Sequence, residues 1–137
     1  MKASETPFIS FMQKTTQFSI PIYQRTYSWT SDQCTQLWND IIHAGKDDTI
    51  NGHFIGSIVY ISEGLYEVSS VPEVTVIDGQ QRMTTLSLFL SALGKILDEQ
   101  KIESEISQKK INNYYLFNRE EEDEKRYKLL LTQRDKN

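Results

Sequence analysis

A compact β-branched segment joined directly to a helical pattern is the feature that most restricts how this chain can fold. Val74 to Ile77 have the composition of a β-strand, and Asp78-Gly79 ends that strand with a turn signal. Apolar residues then recur with helical spacing, at Leu86, Phe89, Leu90, Leu93, Ile96 and Leu97. These patterns predict a strand, a tight turn and a long helix that follow one another without a linker.

The first third of the chain predicts two helices and a strand. An apolar cluster after Pro7 predicts a short first helix, and Gln17 to Ile20 predict a strand that Pro21 stops. A second helix begins after Thr30, because Thr30 and Gln33 have the spacing of a capping box. Its apolar positions are Cys34, Leu37, Trp38, Ile41 and Ile42, and we expect Gly45 to end it.

The segment from Phe54 to Ile61 is apolar on both of its alternating faces. A strand with that pattern is usually covered on both sides, so we predict a central strand here. A turn signal follows at Ser62-Glu63-Gly64, and Leu65 to Val68 is predicted as a further short strand. The chain before Val74 therefore alternates helices with short strands.

Composition is that of a folded chain of single-domain size. The chain has 137 residues, of which 38% are hydrophobic and 25% are charged, close to globular averages. Its longest apolar stretch, Leu86 to Leu97, is interrupted by polar residues and is shorter than the roughly 18 apolar residues of a membrane span. No apolar segment follows Lys2, so we expect no secretory signal and a cytoplasmic location.

Charge and cysteine content exclude several classes of function. The net charge of −4 argues against a uniformly basic nucleic-acid surface, although clustered arginines can still meet phosphate. Cys34 is the single cysteine, and His43 and His53 are the two histidines. The sequence therefore has no internal disulfide and no recognisable zinc pattern.

The end of the chain is far more charged than the rest. Residues 98–137 hold 9 of the 15 Lys and Arg residues and 10 of the 19 Asp and Glu residues. A loose apolar stripe predicts solvated helices there, at Ile102, Ile106, Ile111, Tyr114, Tyr115 and Leu116. The acidic run Glu120 to Glu124 predicts a solvated turn or helix start, and Tyr127 to Thr132 predicts a strand. We expect a core over residues 1–97 and a charged helical extension over 98–137, cut from a longer protein.

The junction between the predicted strand at Val74 and the following helix is a candidate anion site. The first N–H groups of a helix have no partner within it, and the helix dipole adds partial positive charge there. Gly79 allows close backbone approach, Gln80 and Gln81 carry amides, and Arg82 carries a guanidinium that matches phosphate oxygens. An alternative stays open, in which Asp78 is only an N-cap residue and Gln81 completes a capping box.

A second candidate segment is the loop from Ile22 to Trp29, where one arginine lies among aromatic residues. Aromatic rings stack on bases and a guanidinium binds phosphate, so Arg25 is predicted to contact a nucleotide. The alternative for Tyr23, Tyr27 and Trp29 is that they anchor the core.

Two more residues flank the start of the strand predicted from Phe54. His53 is either a phosphate contact or proton-transfer group, or a structural hydrogen-bonding residue. Gly56 marks either the close approach of a ligand or another backbone, or a bend required by packing.

Three motifs in a fixed order give the chain a specific resemblance. They are Ile20-Pro21-Ile22-Tyr23-Gln24-Arg25-Thr26-Tyr27-Ser28-Trp29, His53-Phe54-Ile55-Gly56-Ser57-Ile58, and Val76-Ile77-Asp78-Gly79-Gln80-Gln81-Arg82-Met83-Thr84-Thr85-Leu86. Together they resemble the N-terminal domain of GmrSD-type restriction endonucleases, the DGQQR family. The resemblance covers roughly Phe8 to Leu97.

The resemblance implies a fold and an activity. The fold is α+β and ParB/sulfiredoxin-like: a small mixed sheet packed with helices, followed by a helical C-terminal segment. The activity is binding and hydrolysis of a nucleoside triphosphate, with Mg²⁺, as the regulatory module of a modification-dependent (type IV-like) phage-defence nuclease. The nuclease site itself belongs to a separate C-terminal region or partner subunit, through which DNA is contacted. The alternative is a non-catalytic module that binds a nucleotide or the DNA backbone.

The resemblance also assigns roles to residues. Asp78, Gly79, Gln80, Gln81 and Arg82 form the phosphate-facing loop. Our hypothesis for the mechanism makes Asp78 and Arg82 the catalytic pair, in which Arg82 neutralises charge and Asp78 orients water or holds the metal. Tyr23, Gln24 and Arg25 close over the nucleotide, and His53 and Gly56 complete the predicted nucleotide-binding set. Cys34 does not match the reactive cysteine of the sulfiredoxin branch, which excludes thiol chemistry.

Overall fold

The computed structural model describes residues 4–14, 16–21, 26–49, 52, 56–62 and 71–131, which form a small sheet packed with helices. The strands are β1 (Gln17–Ser19), β2 (Val59–Ser62), β3 (Glu73–Asp78) and β4 (Leu129–Leu130). The helices are α1 (Phe8–Met12), α2 (Ser31–Lys46), α3 (Gln80–Glu99) and α4 (Gln108–Ile111), with a π-helical turn at Asn112–Leu116 and a 3₁₀ turn at Asp123–Arg126. The predicted α+β class is confirmed.

The sheet is mixed, and its strand order is β2-β3-β1-β4. β3 runs antiparallel to β2 and parallel to β1, and β4 runs parallel to β1 on the other side. Phe18 of β1 is therefore paired with Val74 of β3 on one side and with Leu129 of β4 on the other. The last described strand thus completes a sheet whose other strands come from the first 78 residues.

The hydrophobic core lies on one face of this sheet. Val74 and Val76 are buried because alternate residues of a strand point to the same face. They form one cluster with Phe18 of β1, Met12 of α1 and Met83 of α3. The residues that pack against this cluster are Phe8, Phe11, Ile58, Tyr115 and Leu129. Met83 lies in the first turn of α3, so the core itself fixes where that helix begins.

The predicted helices are confirmed, with one correction. The N–H of Thr30 donates to Oε1 of Gln33 at 2.9 Å, so the predicted capping pair does mark the start of α2. The prediction that Gly45 ends this helix is wrong, because α2 continues through Lys46. Gly45 does not take the left-handed conformation with which a glycine terminates a helix.

The predicted central strand from Phe54 to Ile61 is wrong. In the described part of the chain its strand is β2, which begins at Val59 and lies at an edge of the sheet. Tyr60 and Ile61 lie on opposite faces of β2 and are 41% and 43% exposed. The strand is therefore not covered on both sides, although its residues are apolar on both. The ring of Tyr60 instead extends the core by packing edge-on against Phe18, at 6.1 Å between centroids. Phe54, Ile55 and the predicted strand Leu65–Val68 lie outside the described residues.

The predicted C-terminal elements are confirmed in part. The helical stripe is realised only from Gln108 to Leu116, because Ile102 and Ile106 lie outside any helix and are about half exposed. The acidic run forms a turn followed by the 3₁₀ turn, and the predicted strand after Tyr127 is β4. Across the described residues, none of the helices combines the length and the hydropathy needed to cross a membrane.

Three buried polar side chains fasten this C-terminal part to the start of the chain. Nε2 of Gln17 donates to the carbonyls of Glu124 and Tyr127, and Nδ2 of Asn118 donates to the carbonyls of Thr16 and Lys125. Nζ of Lys128 donates to the carbonyls of Met12 and Lys14, at 2.8 and 2.9 Å. Gln17, Asn118 and Lys128, which we call the polar seam, thus bind backbone carbonyls at the ends of elements and in the connections between them.

Candidate functional site

The turn between β3 and α3 is built on a left-handed glycine. β3 ends at Asp78, α3 begins at Gln80, and Gly79 is the N-cap residue, with φ of 93°. Oδ1 of Asp78 accepts a hydrogen bond from the N–H of Gly79 at 2.9 Å. The alternative in which Asp78 and Gln81 form a capping box is wrong, because the N-cap is Gly79 and it has no side chain with which to cap.

Gly79 is also required by what lies against it. A Cβ at this position would stand 2.8 Å from the carbonyl oxygen of Ser57 and 3.0 Å from Cγ1 of Ile58. The space beside Gly79 is therefore occupied by the segment that leads into β2, while the close approach of a ligand stays a prediction. The turn is held between its own strand and this neighbouring segment.

Arg82 lies directly over Gly56, so the structure brings these two predicted site residues together. A Cβ at Gly56 would overlap Cζ of Arg82, and Gly56 has φ of 116°, in the region that glycine favours. Nη1 of Arg82 donates to the carbonyl of Ser57 at 3.2 Å. A guanidinium has five N–H donors, so this contact orients the group and leaves donors for an anion.

Gln81 faces the protein rather than solvent. Its Oε1 accepts from the N–H groups of Ser28, at 2.7 Å, and Trp29, at 3.2 Å. Its Nε2 donates to the carbonyl of Thr26 at 3.1 Å. Both ends of the buried amide therefore hold the loop 26–29 against the first turn of α3.

Tyr27 attaches the same loop to α3 at a second point. Its hydroxyl lies 2.7 Å from Oγ1 of Thr85 and 3.3 Å from Sγ of Cys34. Oγ1 of Thr85 already donates to the carbonyl of Gln81, so the phenol donates to Thr85 and the thiol donates to the phenol. Burial raises the pKa of Tyr27 above its ordinary value. The phenol therefore keeps the proton that this arrangement needs.

The two threonines after Arg82 are site residues that the sequence prediction missed. Oγ1 of Thr84 donates to the carbonyl of Gln80 at 2.7 Å, and Oγ1 of Thr85 donates to that of Gln81 at 2.8 Å. Hydroxyl residues inside a helix often bind the carbonyl one turn earlier. Gln80, Gln81, Thr84 and Thr85 are all buried, which makes the first two turns of α3 a rigid support for Arg82. The spacing of the two pairs, four residues apart, was the available signal.

The other predicted site residues belong to segments that the structure does not describe. Tyr23, Gln24, Arg25 and His53 lie outside the described residues. Of the predicted set, the structure brings together Gly56, Asp78, Gly79, Gln80, Gln81 and Arg82. Asp78 is the last residue of β3 and Arg82 is the third residue of α3, and Gln81 connects the first turn of α3 to the loop 26–29.

Comparison with known proteins identifies the family. A search of the curated proteins found none that matches the chain. One protein-family model, that of the GmrSD restriction endonuclease N-terminal domain, matches residues 8–137 and so extends past the three motifs to include β4. With nearly its whole length matched, the chain belongs to the family of GmrSD restriction endonuclease N-terminal domains, which are modules of restriction and phage-defence systems.

Proposed function

We propose that this domain binds a nucleoside triphosphate at the β3–α3 turn and hydrolyses it, as the regulatory module of a modification-dependent restriction protein. The observation that carries the proposal is the position of Arg82. Its guanidinium is anchored on Gly56 and Ser57 at the N-terminal end of the twenty-residue helix α3. A fixed cationic fork beside the positive end of a helix dipole suits a phosphate group.

The backbone of the turn supports the same assignment. Gly79 is the N-cap residue and makes no side-chain cap, so no N-cap side chain competes with a ligand for the first-turn N–H groups of α3. The buried threonines and Gln81 hold that turn in place before any ligand arrives. Preorganised donors are the main protein contribution to phosphoryl transfer, which needs no covalent nucleophile.

Asp78 is the residue that we propose to work with Mg²⁺. Its carboxylate is exposed, and the N–H of Gly79 orients one oxygen. Among the described residues, Asp78 belongs to no group of three or more candidate metal ligands. A single carboxylate fits Mg²⁺, which is commonly held by one or two carboxylates together with substrate phosphates and water. When bound, the ion would supply positive charge to the transferred phosphate, while Asp78 holds the ion or orients the attacking water.

Other residues and partners complete the proposed nucleotide site and its function. From the family motifs that they belong to, we propose that Tyr23, Gln24, Arg25 and His53 also contact the nucleotide. The domain acts on DNA through a nuclease region or partner subunit, in keeping with a family of restriction endonucleases.

Calorimetric titration with each nucleoside triphosphate in Mg²⁺ tests the binding step. Arg82→Ala removes a charge-assisted contact of about 1.5–3 kcal/mol, so the affinity should fall roughly tenfold to 150-fold. Arg119→Ala is the matched control, because the side chain of Arg119 is 60% exposed and lies outside the site. Equal affinities in wild type and Arg82→Ala would refute the assignment of the phosphate site.

Phosphate release separates hydrolysis from binding alone. Asp78→Asn should retain most of the affinity and lose release, if Asp78 acts with Mg²⁺ on the terminal phosphate. Binding without release in the wild type would instead support a non-catalytic nucleotide switch. Binding of a DNA duplex that the nucleotide does not compete away would show that the same turn does not hold the DNA backbone.

A further inference from the structure

We infer that Gln81 is a positioning residue that couples nucleotide binding at the β3–α3 turn to the conformation of the loop 26–29. The inference rests on the proposed function and adds a regulatory connection to it. Gln81 acts through the backbone that its side chain holds.

The hydrogen bonds of Gln81 define the orientation of its amide without ambiguity. The N–H groups of Ser28 and Trp29 can only donate, so both must meet the amide oxygen, and the carbonyl of Thr26 can only accept, so it must meet the amide nitrogen. The side chain is 6% exposed, so water is a poor substitute for these partners. One buried amide thus binds the backbone of three residues in a four-residue loop.

The contact through Tyr27 makes this connection a double one. Its hydroxyl donates to Thr85, and Thr85 donates to the backbone carbonyl of Gln81. The loop is therefore attached to the first and second turns of α3 through two separate hydrogen-bonded routes. Because the loop is attached at both points, we expect it to move together with the N-terminal end of α3.

The position of this loop in the chain gives the coupling a function. On one side, Thr26 directly follows Arg25, the last of the residues proposed to close over the nucleotide. On the other side, Thr30 is the N-cap residue of α2, and its N–H is held by Gln33. The loop thus joins the start of α2 to the part of the chain that carries the predicted nucleotide residues. A ligand that engages the first turn of α3 therefore acts on the loop 26–29 through Gln81, and by linkage the conformation of this loop acts on ligand affinity.

Trp29 provides the readout, because its backbone N–H is one of the groups bound by Gln81. The chain has two tryptophans, and Trp38 is half exposed, so Trp38→Phe leaves a single reporter in the loop. In this variant, titration with ATP·Mg²⁺ should change the emission of Trp29 with the same midpoint as the calorimetric titration. Gln81→Met in the same background should abolish the emission change and weaken ATP binding at least fivefold. Gln36→Met, on the exposed face of α2, should alter neither quantity.

The outcomes separate this inference from the proposed function. If wild-type protein gives no binding heat with any nucleoside triphosphate, the proposed function fails. If ATP binds but Trp29 does not respond, or if Gln81→Met binds ATP as tightly as wild type, the coupling is refuted while nucleotide binding stands. A purely structural role would lower the melting temperature of Gln81→Met and leave the affinity of the folded protein unchanged. Should that variant not fold, Thr85→Val, which removes only the Tyr27 route, must reduce the Trp29 response or the inference is wrong.

Discussion

The guanidinium of Arg82 occupies the space in which a side chain at Gly56 would stand. The contact joins the segment that leads into β2 to the first turn of α3, and the carbonyl of Ser57 completes it by accepting from Arg82. It explains why a glycine stands at this point of the chain. Both the backbone conformation of Gly56 and the position of Arg82 depend on there being no Cβ.

Gly56→Ala should therefore destabilise the fold and disturb the proposed phosphate site. A non-glycine residue with φ near 116° is strained by about 1–3 kcal/mol, and the added methyl would displace the Arg82 guanidinium. We expect a loss of this size in the free energy of unfolding measured in urea, together with weaker nucleotide binding. Gly45→Ala is the control, because no described residue lies within 4 Å of a Cβ at that position in α2, and it should stabilise the protein by about 0.5–1 kcal/mol. Similar effects of both substitutions would contradict this account.

Met83 tests how far the core fixes the start of α3. Met83 is fully buried among Val74, Val76 and Phe18, whereas Leu88 of the same helix is 55% exposed. Met83→Ala should cost about 2–5 kcal/mol of unfolding free energy through lost burial and cavity formation. Leu88→Ala should change stability by no more than about 0.5 kcal/mol. Comparable losses in denaturant titrations would show that α3 is not anchored by its first turn.

Gln17 tests the polar seam between the two ends of the chain. Gln17→Met keeps the size of the side chain but removes its two hydrogen bonds, to the carbonyls of Glu124 and Tyr127. Because Gln17 is fully buried, the expected cost is about 1–3 kcal/mol. Gln36→Met, on a solvent-facing position of α2, should stay within about 0.5 kcal/mol of wild type. Hydrogen exchange at Lys128 and Leu129 should accelerate in the Gln17 variant only, and unchanged protection there would count against the seam.

Lys128 should make stability depend on pH above neutrality. Burial lowers the pKa of Lys128 from 10.5 to about 8. Between about pH 8 and 10.5, Lys128 therefore holds more protons in the unfolded chain than in the native state. The contribution of Lys128 to the free energy of unfolding should then rise with pH. Below about pH 8 the group is charged in both states and contributes no pH dependence.

The comparison of Lys128→Met with wild type isolates that contribution. The variant should lack the part of the pH dependence that Lys128 supplies, so the difference in stability between the two proteins should change between pH 8 and 10 in favour of wild type. Lys109→Met, at an exposed lysine of α4, controls for general charge effects. Parallel stability curves for wild type and Lys128→Met would show that the lysine keeps its ordinary pKa.

Local patterns predicted the elements well where one short stretch contains the whole signal. The β-branched run of β3, the spaced apolar residues of α3 and the capping pair of α2 are all of this kind. The position of a strand within the sheet is a different matter, because it depends on which distant segment supplies its neighbour. For that reason β2 was predicted as central and lies at an edge of the sheet formed by the described residues, while β4 brings Leu129 and Leu130 beside β1.

The candidate site divides in the same way. The motif from Asp78 to Arg82 predicted a glycine turn into a helix, and the structure has that turn. The motif did not predict that Gly79 would be the N-cap in place of Asp78, or that Gln81 would bind the loop 26–29. Both depend on groups that stand more than twenty residues away in the sequence, such as the carbonyl of Ser57 and the N–H of Ser28.

The sequence by itself determined the family, the alternation of short strands with helices, and the strand–turn–helix unit that carries Arg82. These features follow from backbone preferences and side-chain spacing, which act over a few residues. Only the tertiary structure decided which groups Arg82 and Gln81 meet, and that Gln17, Asn118 and Lys128 bind the two ends of the chain together. A buried polar group must find a partner wherever the chain brings one, and that place is set by packing of the whole fold rather than by neighbours in sequence.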